Sequence, residues 1–314
     1  MAALAVKCAK QLMQVAERRP PDPRENVDGL SEVFRHPLFT HGSAKARERI
    51  MRQSSATRYD DEMAYPWENY FGRPVGGWVQ GDVLDLGCFT GGRAVAWWER
   101  YRPSSMAGMD VDEVFIEAAR RFAESRAVPA QFRVGFGERI PWPQGSFDTI
   151  VTFDVLEHVR SVPATLAECR RVLRPGGRLL AVFPSYYQPI EHHLSLVTRT
   201  PGLQYLFSGR TLIDAYREIL DGRGPSAEWY ARGPMEPWER GNTINGTTDR
   251  VFRRLARRQG WELTFQAHLP IGTVGRRADS APARLLGTVA APLTRVPGVQ
   301  EMVLHRLSYV LTRP

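Results

Sequence analysis

The sequence is poor in cysteine and lysine and contains no long apolar run. Three cysteines, Cys8, Cys88 and Cys169, stand far apart in 314 residues. An odd count without a Cys-x-x-Cys pair excludes a disulfide framework and a cysteine metal knuckle. Nor is there the clustered cysteine triad that an iron–sulfur centre for radical chemistry needs. No stretch approaches the roughly 18 consecutive apolar residues of a membrane span, and Met1 to Arg19 lacks a long apolar core with a small-residue cleavage site. A cytoplasmic protein is expected. Lysine occurs only at 7, 10 and 45, so nearly all basic residues are Arg, which reads as the codon bias of a GC-rich genome. No internal repeat or low-complexity tract is found. Apolar residues at 43% and charged residues at 24% exclude a disordered or fibrous chain.

What is present is one elaborated α/β core with additions. Residues 1–80 read as an N-terminal helical cap, with helices at Ala2 to Arg18 and Ser43 to Ser54 around a Pro-rich linker. From Gly81 short apolar runs alternate with helical segments, the pattern of βαβ units on a parallel sheet. Strands are expected at Asp82 to Leu86, Ser105 to Asp110, Gln131 to Val134, Thr149 to Phe153 and Arg178 to Phe183, with Pro175-Gly176-Gly177 ending the helix before the fifth. Residues 81–184 are thus the α/β core. The next stretch, 185–249, is about 65 residues long, too long for a plain connection, and reads as a substrate-binding insertion or lid. Residues 250–314 return to the core with a basic helix, a strand at Trp261 to His268, an irregular stretch from Pro270 to Glu301 and a last strand at Leu304 to Thr312.

The formal charge of +8 is local. From Arg250 to Pro314 there are 11 Arg against Glu262, Asp279 and Glu301, so this region alone accounts for it. Such a surface attracts phosphorylated substrates, nucleic acid or an anionic membrane. A solvated helix face accounts for Arg253, Arg254, Arg257 and Arg258 equally simply, since they interleave with Val251, Phe252, Leu255 and Ala256 at helical spacing.

The segment Val83-Leu84-Asp85-Leu86-Gly87-Cys88-Phe89-Thr90-Gly91-Gly92 sets a strand, a glycine loop and a helix N-terminus in succession, where an α/β sheet binds a nucleotide. Glycine at 87 admits close approach of a ligand to the backbone, and Asp110 ends the second strand, where a carboxylate accepts both ribose hydroxyls. The dehydrogenase fingerprint G-x-G-x-x-G fails, because Phe89 fills its second glycine position. The chain instead resembles the class I S-adenosylmethionine-dependent methyltransferases. The resemblance rests on Asp85, Gly87 and Gly91, then Gly108-Met109-Asp110, Glu138 to Phe147-Asp148, Val155-Leu156-Glu157-His158 and Leu173-Arg174-Pro175-Gly176-Gly177, in that order.

The resemblance implies a Rossmann-like seven-stranded, mostly parallel sheet with helices on both faces and an antiparallel last strand beside strand 5. It implies S-adenosyl-L-methionine as cofactor, with Gly87, Cys88 and the loop at its methionine moiety, Asp85 near its ammonium, Asp110 on the ribose and Val111 against adenine. Phe89, Gly91, Phe136, Gly137 and Phe153 complete the expected cofactor set. Two positions depart from the family pattern. Phe89 stands at a glycine-like position of the loop, and Gly135-Phe136-Gly137 replaces Gly-Asp-Ala, so an acid for the adenine amino group is missing and Phe136 is expected on the ring.

Methyl transfer to an alcohol needs alignment and a base. His158, after the fourth strand, and Glu191, His192 and His193, opening the insertion, are the candidates. Tyr186, Tyr187, Tyr205, Phe207, Trp229, Tyr230 and Trp238 interleave with carboxylates and Arg, which suits a sugar or a polycyclic hydroxylated molecule. The expected acceptor is a hydroxyl on a sugar of a bacterial glycan, glycolipid or glycosylated natural product, with a phenol, polyketide or amine as the alternative. Nucleic acid is not expected, because Phe153-Asp154-Val155-Leu156 follows strand 4 where an Asn/Asp-Pro-Pro-Tyr signature belongs. Asp154, Glu157 and Glu191 are of the type that binds a divalent metal, but no spacing compels it, and no metal is expected. The cap and the insertion together are expected to form the acceptor pocket.

Overall fold

A computed structural model describes residues 2–17, 44–189, 194, 197–222, 245–274, 278–296 and 298–314. The chain divides into two compact units, Met1–Met51 with Tyr186–Asn245, and Arg52–Ser185 with Gly246–Pro314.

The larger unit holds a seven-stranded sheet in the order β3-β2-β1-β4-β5-β7-β6. Its strands are β1 (Asp82–Leu86), β2 (Ser105–Asp110), β3 (Ala130–Val134), β4 (Phe147–Phe153), β5 (Leu173–Phe183), β6 (Glu262–Pro270) and β7 (Leu304–Thr312). β1 to β5 run parallel, and β7 inserts antiparallel between β5 and β6. This is the expected Rossmann-like arrangement with an antiparallel last strand. Alternation along the strands sorts side chains to two cores. Leu84, Leu86, Ile150, Leu179 and Ala181 join one, while Val83, Val151, Leu180 and Val182 join the other.

Helices cover both. The chain contributes α1 (Ala2–Val15), α2 (Ala44–Ala64), a 3-10 turn at Trp67–Phe71, α3 (Gly92–Tyr101), α4 (Glu113–Ser125), α5 (Val162–Val172), α6 (Leu203–Leu206), α7 (Gly209–Asp221), α8 (Asp249–Arg258) and α9 (Ala281–Leu293). Local chemistry fixes several starts. Asp112 accepts from the Val114 amide at α4, Ser161 from Ala164 at α5, and Thr248 from Val251 at α8, each satisfying an orphan donor of the first turn.

Four expectations are corrected. α2 runs to Ala64, beyond the Ser54 end read from sequence. The 3-10 turn and the following segment bury Trp67, Phe71, Val75 and Val79 in the core of the larger unit, so residues 52–80 group with the sheet. β5 starts at Leu173 and runs through Pro175-Gly176-Gly177, where its register against β4 shifts between Phe147 and Thr149. Leu173 pairs with Phe147, and the Gly176 amide donates to Arg313 O and the Arg313 amide to Gly177 O, both at 2.8 Å, so the glycines extend the ladder to β7. The stretch from Pro270 to Glu301 contains α9, whose apolar pattern does not face a core. Within α4, Phe115, Ile116, Ala118 and Ala119 are buried, while Val114 is exposed.

The smaller unit has its own core. Ala9 and Met13 of α1 pack with Leu194, Val197, Leu203, Leu212, Ala215, Tyr216 and Ile219. Glu17 bridges Thr198, and Thr200 Oγ1 donates to Leu12 O at 2.9 Å. The first helix and the segment after β5, read from the sequence as separate cap and insertion, thus fold on each other.

Candidate functional site

β1 lies between β2 and β4, with Asp85 registered against Gly108 and Val151. At its end the chain reverses through a run of left-handed residues: Gly87 at φ 82°, Phe89 at 50° and Gly91 at 74°. The Gly87 and Cys88 amides both donate to Met109 O, at 2.8 and 2.9 Å, and the Gly91 amide donates to Cys88 O at 2.9 Å. Gly91 caps α3, and a Cβ there would lie 2.6 Å from Ala119 Cβ. At Gly87 a Cβ would meet Val155 Cγ2 at 2.2 Å, so this glycine is required by the loop after β4 as well as by its own φ. Phe89 adopts the left-handed backbone despite its side chain, at a cost of about 1 to 2 kcal/mol. Its ring packs on Phe115, with centroids 4.4 Å apart.

Asp110 ends β2 half-buried. Its Oδ2 accepts the Phe89 amide at 2.9 Å, and its Oδ1 accepts the Val111 amide at 2.8 Å and the Asp112 amide at 3.4 Å. Burial pushes its pKa up to about 6 against the pull of these three donors. Val111 beside it is exposed. Gly135, after β3, donates its amide to Asp110 O at 3.0 Å, and the following Phe136 presents an exposed ring with the Arg160 guanidinium 5.6 Å from its centroid. A Cβ at Gly137 would lie 3.0 Å from the Thr165 side chain, so this glycine admits α5.

Asp85 is buried, and burial raises its pKa to about 7; the Arg93 charge opposes the rise, and Asp110 and Glu62 add to it. Its Oδ2 has no hydrogen-bond partner among the described residues. A buried carboxylate oxygen without a donor is costly unless something else supplies one. An ammonium does so and also favours the ionised form, so the residues present fit the methionine end of S-adenosylmethionine. The ribose and adenine fit the Asp110, Val111 and Phe136 side of the same strand ends, the crevice where open α/β sheets take nucleotides.

Phe153 closes β4, its ring edge-on to Tyr70 at 5.1 Å and beneath the Arg93 guanidinium at 4.1 Å. Asp154 follows at φ 56° and accepts two bonds from Arg306 of β7, at 2.9 and 3.1 Å. Glu157 is fully buried, and His158 Nε2 lies 3.7 Å from its Oε1. His158 itself is partly exposed. Glu191, His192 and His193 lie outside the described residues. Among the described residues no group of three or more His, Cys, Asp and Glu gathers to hold a metal.

Sequence reading missed the contribution of α2. Ser55 Oγ donates to Thr90 O at 2.8 Å, and Gly92 is needed because a Cβ would lie 2.1 Å from Ser55 O. Arg58 stands over the Phe89 ring at 5.6 Å; burial and then the Arg93 charge push its pKa down. Glu62, buried, accepts the Trp67 amide at 2.9 Å and pairs with Arg93 at 3.2 Å, while burial holds its carboxyl above the usual range. The recurrence of Ser55, Arg58 and Glu62 at helical spacing was the available signal.

Residues 84–181 match the family described as "Methyltransferase domain". The chain is 31% identical over 195 residues to a demethylmenaquinone methyltransferase of Deinococcus radiodurans, covering 56% of this chain and 74% of that protein. It is 33% identical over 144 residues to a demethylmenaquinone methyltransferase of Thermus thermophilus, covering 44% and 63%. Against several curated relatives it spans only 30% to 63% of their length. A crystal structure of an S-adenosylmethionine dependent methyltransferase from Mesorhizobium loti shares the fold, with a TM-score of 0.52 at 18% identity over 81% of this chain and all of that one.

Proposed function

Because the chain belongs to the class I S-adenosylmethionine-dependent methyltransferases, we propose that it transfers the methyl group of S-adenosyl-L-methionine to a small-molecule acceptor bearing a hydroxylated ring. The observation that carries the first half is the buried Asp85 oxygen without a donor, set between the left-handed loop at Gly87 and the Asp110 carboxylate. Asp85 would hold the ammonium, Asp110 the ribose hydroxyls, and Val111 and Phe136 the two sides of the base. The bound cofactor supplies an electrophilic methyl with its own leaving group.

The chain's own task is then to align the acceptor, exclude water and take a proton. His158 is the base proposed for it, with the buried Glu157 carboxylate oriented toward its ring. Removing a ring hydroxyl proton makes the oxygen nucleophilic and also the adjoining ring carbon. Further relatives carry the name ubiquinone/menaquinone biosynthesis C-methyltransferase, which favours carbon. In that case the new C–C bond forms as the C–S bond breaks, and the ring carbon's hydrogen leaves as a proton.

A sugar hydroxyl is the second reading. It is favoured by Tyr187 and Tyr205 of the smaller unit, whose rings lie near parallel with centroids 6.2 Å apart and offer flat apolar faces. We assign acceptor selection to the insertion at residues 185–249. A cytoplasmic enzyme acting on neither DNA nor RNA, in peripheral contact with an anionic surface through the basic C-terminal region, completes the proposal.

Incubation of the purified chain and methyl-labelled S-adenosylmethionine with bacterial extract, followed by mass spectrometry, tests it. A labelled ring carbon supports the first reading and a labelled sugar oxygen the second. Binding of the cofactor without any labelled product would refute methyl transfer.

A further inference from the structure

α9 is turned inside out. A helix on a globular core buries its large apolar residues, but here the buried residues are Gly287 and Ala290. They settle on the turn after β6: a Cβ at Gly272 would lie 2.3 Å from Ala283 O and 2.9 Å from the Gly287 amide, and a Cβ at Gly287 would lie 3.0 Å from Thr273 Cγ2. The large residues point outward, with Leu285 69% exposed, Leu286 47%, Val289 57% and, just past the helix, Val296 42%. Pro282 and Pro292 are exposed as well, so residues 282, 285, 286, 289, 292 and 296 form one stripe at three- and four-residue spacing.

Within α9 and the turn after it the charges have one sign, with Asp279 just before the helix cap and Glu301 just past the turn. Arg284 and Arg295 are exposed near the two ends of the stripe, and no acidic residue occurs from Ser280 to Gln300. Two copies of this face set against each other would bring like charges together. An anionic bilayer offers the complement to both features: acyl chains for the leucines and valine, and phosphates for the guanidiniums. Thirteen residues of helix span about 20 Å, and no helix among the described residues is long and apolar enough to cross a membrane.

We propose that α9 is an interfacial docking helix that lays its Leu285, Leu286 and Val289 face into the surface of an anionic lipid bilayer. It deepens the reading above, resting on it only for the peripheral contact of the C-terminal region with an anionic surface, which it places on this helix. Docking itself needs no transfer.

Co-sedimentation of the full chain with vesicles tests it, using phosphatidylcholine alone and phosphatidylcholine with phosphatidylglycerol. Binding is expected to the mixed vesicles, less to the neutral ones, and to weaken with added salt. The triple variant Leu285→Ser, Leu286→Ser, Val289→Ser should lose about tenfold or more of that binding, while cofactor affinity by calorimetry stays unchanged. These side chains are solvent-exposed, so the fold tolerates the exchange. A Val289→Trp variant should shift its added emission to the blue with mixed vesicles and not with buffer. The inference is overturned if mixed vesicles do not retain the wild-type chain or if the triple variant binds as well. It is also overturned if the wild type is a dimer that the triple variant dissociates without any vesicle binding, which gives the face to a second copy. Loss of cofactor binding in the wild type would sink the methyltransferase reading and leave docking to be judged by the vesicles.

Discussion

The Phe89 amide donates to Asp110 Oδ2 at 2.9 Å, so a single carboxylate ties the loop after β1 to the end of β2. The side chain that would hold the ribose is thereby also the strut of the glycine loop. Asp110→Ala is expected to weaken S-adenosylmethionine binding by about 10- to 100-fold, from the loss of charge-assisted bonds worth about 1.5 to 3 kcal/mol. Asp110→Asn, which keeps an acceptor oxygen for Phe89, should fall between. Calorimetric titration of both variants checks this, and unchanged affinity in the alanine variant removes Asp110 from the site.

Asp85 makes binding depend on pH. Its folded pKa is raised to about 7 from 3.8. The folded state therefore holds more protons than the unfolded one across this window, and the group's contribution to stability declines as pH rises through it. A bound ammonium selects the ionised form. Cofactor affinity should therefore increase with pH up to about 7 and then level, by at most about tenfold per pH unit. Asp110, raised to about 6 and coupled to Asp85, spreads the transition. Titrations at several pH values read the slope; in Asp85→Asn it should flatten, and a wild-type affinity independent of pH contradicts the role of Asp85.

Gly91→Ala should destabilise the fold by about 2 to 4 kcal/mol, combining left-handed strain with overpacking. The new methyl would press on Ala119 at 2.6 Å, and backbone at φ 74° gives it no room to turn away. Urea denaturation of the two proteins measures the difference. A loss below about 0.5 kcal/mol, the usual range of a surface change, means that α3 and α4 shift apart freely.

His158→Ala should lower the rate of methyl transfer by roughly 10² to 10⁴ and leave cofactor affinity as it is. The Gln variant keeps the volume and should be equally slow. Full rate in both would return the base to Glu191, His192 or His193, or to an acceptor that needs no deprotonation.

Much of this was legible in the chain. Asp82 to Leu86, Ser105 to Asp110 and Leu304 to Thr312 were found at the observed bounds, because each is a short apolar run bracketed by turns or polar residues. The Asp85, Gly87, Gly91 and Asp110 set was readable because a strand end, a left-handed loop and a helix start constrain neighbouring positions directly. Other features depended on partners distant in sequence. Pro175-Gly176-Gly177 was read as a helix end, yet the helix stops at Val172 and these residues lie in β5; nothing local says so, since their pairing requires Arg313. α9 escaped notice because Pro282, Gly287 and Pro292 look like breakers, and its outward leucines do not mark a core. The α2 contribution was hidden for the opposite reason: Ser55, Arg58 and Glu62 are polar residues whose burial is created by the glycine loop they cover.

The insertion of β7 between β5 and β6 reaches into how the chain folds. β6 precedes β7 in the sequence but, among the described residues, pairs with β7 alone, so it cannot join the sheet when it is made. Until β7 arrives, the apolar strand β5 is an open edge, with six backbone positions from Arg178 to Phe183 awaiting a partner. An exposed edge of that kind invites pairing with other chains. β7 closes that edge and carries β6 on its other side, with α9 in the connection between the two strands.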